Sequence, residues 1–109
     1  MTQRVAKVES LIQQVVATAL VQLLDRDAAA VTVTRVDAAP DLRSAVVWIG
    51  MLGDSAAQDA LWAHIERERR ELQEAVAANM TTKFVPRLNF KRDTGGEYAA
   101  EIDRLLKKI

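Results

Sequence analysis

One histidine, His64, and no cysteine limit the chemistry that these 109 residues can perform. A metal site built on paired imidazoles or on thiolates lacks its donors, there is no thiol nucleophile, and a Ser-His-Asp arrangement would have to use His64. His64 stands beside Ile65 and four residues before Glu68, the setting of a partly exposed histidine on a helix surface. The nearest carboxylate pairs, Asp25 with Asp27 and Glu68 with Glu71, read as loop and helix-surface charges rather than as a general acid and its base. Neither GxGxxG nor GxxxxGK[ST] occurs, and Gly50, Gly53, Gly95 and Gly96 fall at expected strand and turn boundaries. The sequence therefore points away from an enzyme, and it implies no cofactor and no metal.

Basic side chains offer more. Lys plus Arg and Asp plus Glu number 15 each, but residues 1–66 hold five basic against eight acidic side chains, and residues 67–109 hold ten against seven. No acidic residue lies between Thr81 and Arg92, where Lys83, Arg87, Lys91 and Arg92 stand. With Arg43, Arg67, Arg69 and Arg70 they make eight candidates for phosphate contacts. If the two sets lined one groove, they would neutralise phosphates without reading bases, and binding would weaken steeply with salt. In the competing arrangement Arg67 and Arg70 pair with Glu71 and Glu74 along a helix, worth only a few tenths of a kcal/mol per pair. The pattern leaves both open. Trp48, Trp62, Phe84 and Phe90 could stack on bases, but each sits in an apolar pattern that places it in or near a core.

Several elements must position these residues. From Arg4 to Leu24, Val5, Val8, Ile12, Val15, Ala19 and Leu23 recur every three or four residues, an amphipathic helix. Val31–Val36 is β-branched at five of six positions and Ala45–Ile49 is nearly all apolar, so both read as strands. Asp37-Ala38-Ala39-Pro40-Asp41 turns between them, giving an antiparallel hairpin. The second strand is apolar on both faces, as a central strand would be. Ser55 with Gln58 has the form of a capping box for a helix from Ala56 to about Met80.

A straight helix of that length would span roughly 37 Å, more than the diameter expected of its own domain. Its apolar stripe fails at Glu66–Glu71, where a break is expected. Phe84, Leu88 and Phe90 then alternate with Lys83, Val85, Arg87, Asn89 and Lys91, a strand with one apolar and one basic face. Pro86 assigns it to a sheet edge or a bulge. Thr94 with Glu97, then Tyr98, Ile102, Leu105 and Ile109, suggest a short closing helix. The length suits one domain over residues 1–109, no run is long enough to cross a membrane, and no apolar signal segment follows Met1–Lys7. The expected location is the cytoplasm.

Taken together, Arg4-Val5, Val31–Val36, Asp41-Leu42-Arg43-Ser44-Ala45-Val46-Val47-Trp48-Ile49, Val85-Pro86-Arg87-Leu88-Asn89-Phe90 with Asp93, and Ile102-Asp103-Arg104-Leu105-Leu106 resemble bacterial ribosome-binding factor A. The blocks follow that family's order and spacing over nearly the whole chain. The resemblance implies an α+β, type II KH-like domain, a three-stranded sheet packed against helices in the order α-β-β-α(kinked or broken)-β-α. It further implies a non-enzymatic factor that binds 16S rRNA within the free small (30S) subunit, assists late maturation and processing, and is absent from 70S ribosomes and polysomes. Nothing in the sequence resembles a dimerisation helix, so a monomer is expected. The family replaces the GxxG backbone clamp of RNA-binding KH domains with a helix-kink-helix carrying Ala-x-Gly. Here Glu68-Arg69-Arg70 occupies those positions. The alternative is a KH-like protein-interaction module that has lost RNA binding.

Overall fold

The computed structural model describes residues 3–81 and 84–94. Lys83 and the expected closing helix lie outside the described residues. Within them, α1 (Gln3–Leu24) leads through a 3-10 turn (Asp25–Ala30) to β1 (Val31–Ala38) and β2 (Ser44–Met51), then α2 (Ser55–Arg67), α3 (Arg69–Ala78) and β3 (Arg87–Arg92). The sheet order is β1-β2-β3, with β1 antiparallel and β3 parallel to β2. The hairpin, the central β2 and the edge position of β3 agree with the sequence. This is the α+β, type II KH-like arrangement that the resemblance implied.

The helices cover one face of the sheet. Val33, Val36, Ala45, Val47, Ile49, Leu88 and Phe90 face them, and α1 contributes Val8, Ile12, Val16, Leu20 and Leu24 to the same core. On α1 the stripe differs from expectation: Val16, Leu20 and Leu24 are the buried set, while Val15, Ala19 and Leu23 flank it. Residues 15/16, 19/20 and 23/24 are all apolar pairs, so periodicity fixes the face only to within one residue, and Leu20 fills more of the core than Ala19. From α2 and α3 come Ile65, Leu72 and Val76, each with no exposed surface.

Asp54, one residue before the expected cap, starts α2: its Oδ1 accepts from Ala57 N at 2.8 Å, while Gln58 Nε2 donates to Gly53 O. The expected break falls at Glu68, with φ −97° and ψ 5°. Its N–H donates to Ile65 O at 3.0 Å and its carbonyl accepts from Leu72 N at 3.0 Å, so the chain bends with its hydrogen bonds intact. Those dihedrals are open to any L-residue, and positive φ among non-glycine residues occurs only at Asp25 and Leu42 among the described residues. The missing glycine is therefore no obstacle to the break.

Beyond the break, α3 flanks the edge of the sheet. Gln73 Oε1 accepts from Leu88 N at 2.8 Å, and Gln73 Nε2 donates to Pro86 O at 3.0 Å. The outward-facing backbone of β3 is thus partly paired by a side chain, which blunts the edge. Phe84 does not join the apolar face as expected. It is 70% exposed, because regular pairing begins only at Arg87 and the alternation does not extend back through Pro86.

Candidate nucleic-acid interface

The sheet face turned away from the described helices gathers aromatic and basic side chains, and a bulge in β1 determines which they are. Strict alternation from Val31 and Val33 would point Arg35 into the core and Val36 outward. The register instead runs from Val33↔Ile49 to Arg35↔Trp48, leaving Thr34 as the extra residue. Val33 and Val36 both become buried, while Arg35 moves to the open face opposite Trp48.

Pairing continues across to β3, so the open face is built in rows: Asp37–Val46–Asn89 and Arg35–Trp48–Lys91, with Ser44 beside Arg87 at one end. Trp48 Nε1 donates to Asp37 Oδ2 at 3.1 Å, and Arg35 Nε lies 3.0 Å from the same oxygen. The Arg35 guanidinium carbon is 5.2 Å, and Lys91 Nζ 5.8 Å, from the Trp48 ring centroid. Both are within cation–π range, worth about 0.5–1 kcal/mol each at exposed sites. Trp48 is therefore an open-face residue, not the core residue expected from its apolar strand. Gly50 lies two residues further along this face, and a Cβ there would stand 2.9 Å from Thr34 Cγ2.

The sequence-derived basic residues separate into three groups. Arg87 and Lys91 are exposed on the open face, and Arg43 adjoins them, its carbonyl accepting from Arg87 N at 2.9 Å. Arg67, Arg69 and Arg70 are exposed at the helix break, in the layer that covers the other face. Strand alternation and helix packing thus put the two sets in different layers rather than along one groove. Arg69 lies 3.6 Å from Glu66 and Arg70 lies 3.5 Å from Glu74, whereas Arg67 has no ion-pair partner among the described residues.

Arg92 turns to α2, 2.7 Å from Asp59 Oδ1 and 5.3 Å from the centroid of the partly buried Trp62, so it clasps helix to strand. Alternation had already placed Asn89 on the basic face without making it a candidate contact, whereas Arg35 was missed and only the bulge reveals it.

Nothing in the described part assembles acid-base machinery. His64 Nδ1 lies 3.3 Å from Asp27 Oδ2 and Nε2 lies 3.9 Å from Glu68 Oε1, tying the 3-10 turn to the helix break. No group of three or more metal-ligating side chains occurs among the described residues. A groove of about 390 Å³ between α1 and α3, lined by Leu11, Gln14, Val15, Thr18, Ala75 and Asn79 among others, holds no titratable group.

Comparison with known proteins agrees with the fold. A family model described as ribosome-binding factor A matches residues 4–106. The chain belongs to that family. Ribosome-binding factor A of Rhodopirellula baltica is 31% identical over 109 residues, covering 99% of this chain and 80% of its own. The crystal structure of ribosome-binding factor A from Thermus thermophilus superposes with a TM-score of 0.67 at 22% identity, covering 81% of this chain and 93% of that one. A homology model of the Thermus thermophilus ribosome-binding factor A, fitted into a cryo-EM map of a 30S complex, gives a TM-score of 0.59 at 23% identity over 78% of this chain and 90% of that one. The family-level expectation drawn from the sequence blocks therefore holds. Against the Ala-x-Gly expected of ribosome-binding factor A, Glu68-Arg69-Arg70 makes a break with added positive charge.

Proposed function

We propose that this chain binds the free small (30S) ribosomal subunit through 16S rRNA and assists its late maturation and processing as a non-enzymatic factor. In this reading residues 1–109 act as one KH-like RNA-binding domain, monomeric and cytoplasmic, that is absent from 70S ribosomes and polysomes. Membership of the ribosome-binding factor A family carries the proposal, and a family member fitted into a 30S complex supports it. The exposed arginines and lysines fit the phosphate-rich surface of such a partner. No helix among the described residues is long and apolar enough to cross a membrane.

Co-sedimentation with isolated small subunits, large subunits and intact ribosomes at two salt concentrations tests the reading. Selective, salt-sensitive binding to free small subunits is the expected result, and binding to none of the three would refute it in favour of a protein-interaction module. Among the eight basic candidates, replacing one that contacts a phosphate lowers affinity modestly and reduces the salt slope by about one. An unchanged slope at all eight would reject phosphate contact by these residues. Reversing the charge of Arg69 and Arg70 together is expected to weaken binding; unchanged affinity would remove the helix break from the interface.

A further inference from the structure

We propose that the open sheet face is a stacking platform for an unpaired stretch of RNA, with Trp48 as the base-stacking residue and Lys91 and Arg87 as its phosphate contacts. This deepens the proposed function and rests on it, because it names the part of the RNA that this face takes. The helix break and its arginines belong to the opposite layer and form no part of this platform.

Three observations carry it. The first is the setting of Trp48, which stands on the solvent side of the sheet although Val47 and Ile49 on either side of it are buried. The second is an asymmetry between its cations. Arg35 is held by Asp37, which also receives the indole N–H, so the β1 side of the ring is fixed by these contacts. Lys91, on the β3 side, reaches the ring at 5.8 Å and has no ion-pair partner among the described residues. A base can replace the ammonium against the indole while the lysine swings to the adjoining phosphate. The ring stays covered and the charge gains a counter-charge.

The third observation is charge complementarity. The three cations Arg35, Arg87 and Lys91 stand with two carboxylates, Asp37, which is already engaged twice, and Asp93, which lies just past the end of β3 beside Thr32 and Gly50. Arg87 and Lys91 share the exposed side of one strand, four residues and so about 13 Å apart, with Asn89 between them offering an amide to a base edge. An aromatic ring among basic side chains on a strand surface suits single strands, since every base has a π-face to stack. A duplex, whose bases are already stacked, gains nothing from the indole.

The test uses the full chain with Trp62→Phe, so that fluorescence reports Trp48 alone, and a 12-nucleotide unstructured RNA as probe, with the matching duplex as control. The single strand is expected to quench Trp48 emission and the duplex is not. Trp48→Leu should lose about 5–150-fold in affinity for the single strand, the range of one base–aromatic stack, with an unchanged salt slope. Trp48→Phe should recover much of the loss, and Lys91→Gln should lower the salt slope by about one. If Trp48→Leu fails to fold, the quenching and Trp48→Phe results still decide.

No quenching by the single strand, or equal affinity of wild type and Trp48→Leu for it, overturns the platform and leaves the face to a protein contact. Selective binding of the wild type to free small subunits would still uphold the proposed function in that case. Failure of the wild type to bind small subunits, with quenching intact, would instead remove the ribosomal reading and keep the platform as a single-strand site.

Discussion

Gln73 offers a direct test of how the helix layer holds the strand that carries Arg87 and Lys91. Its amide closes a two-bond clasp on the β3 edge, accepting from Leu88 N at 2.8 Å and donating to Pro86 O at 3.0 Å. The two backbone partners fix which amide atom is which, since one is a donor and the other an acceptor. Each bond is worth about 0.5–1.5 kcal/mol net, so Gln73→Ala is expected to cost about 1–3 kcal/mol, because the site is only half buried and water partly replaces the lost groups. A loss near the middle of that range lowers the melting temperature by about 10 °C in a domain of this size. Gln73→Glu separates the two bonds. It keeps an acceptor for Leu88 N but sets a carboxylate oxygen against the Pro86 carbonyl, so it should destabilise while leaving the Leu88 amide protected. Urea unfolding gives the free energies, and hydrogen exchange at the Leu88 amide identifies the bond. An unchanged exchange rate in Gln73→Ala, or a Gln73→Glu variant as stable as the wild type, would refute the clasp.

Asp54→Ala removes the N-cap bond to Ala57 and is expected to cost about 1 kcal/mol by urea unfolding, whereas Ser55→Ala should cost much less. Gly50→Ala drives a methyl group to 2.9 Å from Thr34 Cγ2, and overpacking of that kind costs about 1–3 kcal/mol. Thr34→Ser keeps the hydroxyl and deletes that methyl group, so a double-mutant cycle should show it recovering much of the loss; strict additivity would argue against the contact. Ile65→Ala empties a fully buried site beside the helix break and should destabilise by about 2–5 kcal/mol, a loss that thermal melting would register as a clear drop in midpoint.

Local patterns in this chain foretold what depends on local chemistry. The Pro40–Asp41 turn made the hairpin visible, the unbroken apolar run of β2 made it central, and Pro86 sent β3 to the edge. The wholly charged Glu66–Glu71 stretch marked the break because a helix that buries nothing there has no reason to stay straight. Positions set by tertiary partners were less legible. Trp48 looked like core because its strand is apolar, yet among the described residues helices cover one face of the sheet only. Arg35 needed the bulge at Thr34, which alternation cannot announce. Gln73 is one polar residue among many on α3 until the β3 backbone is brought beside it. The separation of the two arginine-rich sets into different layers follows from how helices cover the sheet, a relation that no spacing along the chain encodes.

The parallel pairing of β3 with β2 bears on the order in which the domain assembles. β1 and β2 are joined by only the five residues from Ala39 to Arg43, whereas 35 residues, Leu52 to Pro86, separate β2 from β3. Loop-closure entropy alone makes the second pairing about 1.7 kcal/mol more costly to nucleate, and α2 and α3 must bend and dock before it forms. The strand bearing Arg87 and Lys91 is then the last to be zipped in and the first to come away. Native-state hydrogen exchange would show it as β3 amides opening at a lower free energy than those of the hairpin. Because Leu88 and Phe90 of this strand belong to the core, each such opening also uncovers the inner side of β2, which couples the position of the basic edge to the packing beneath Trp48.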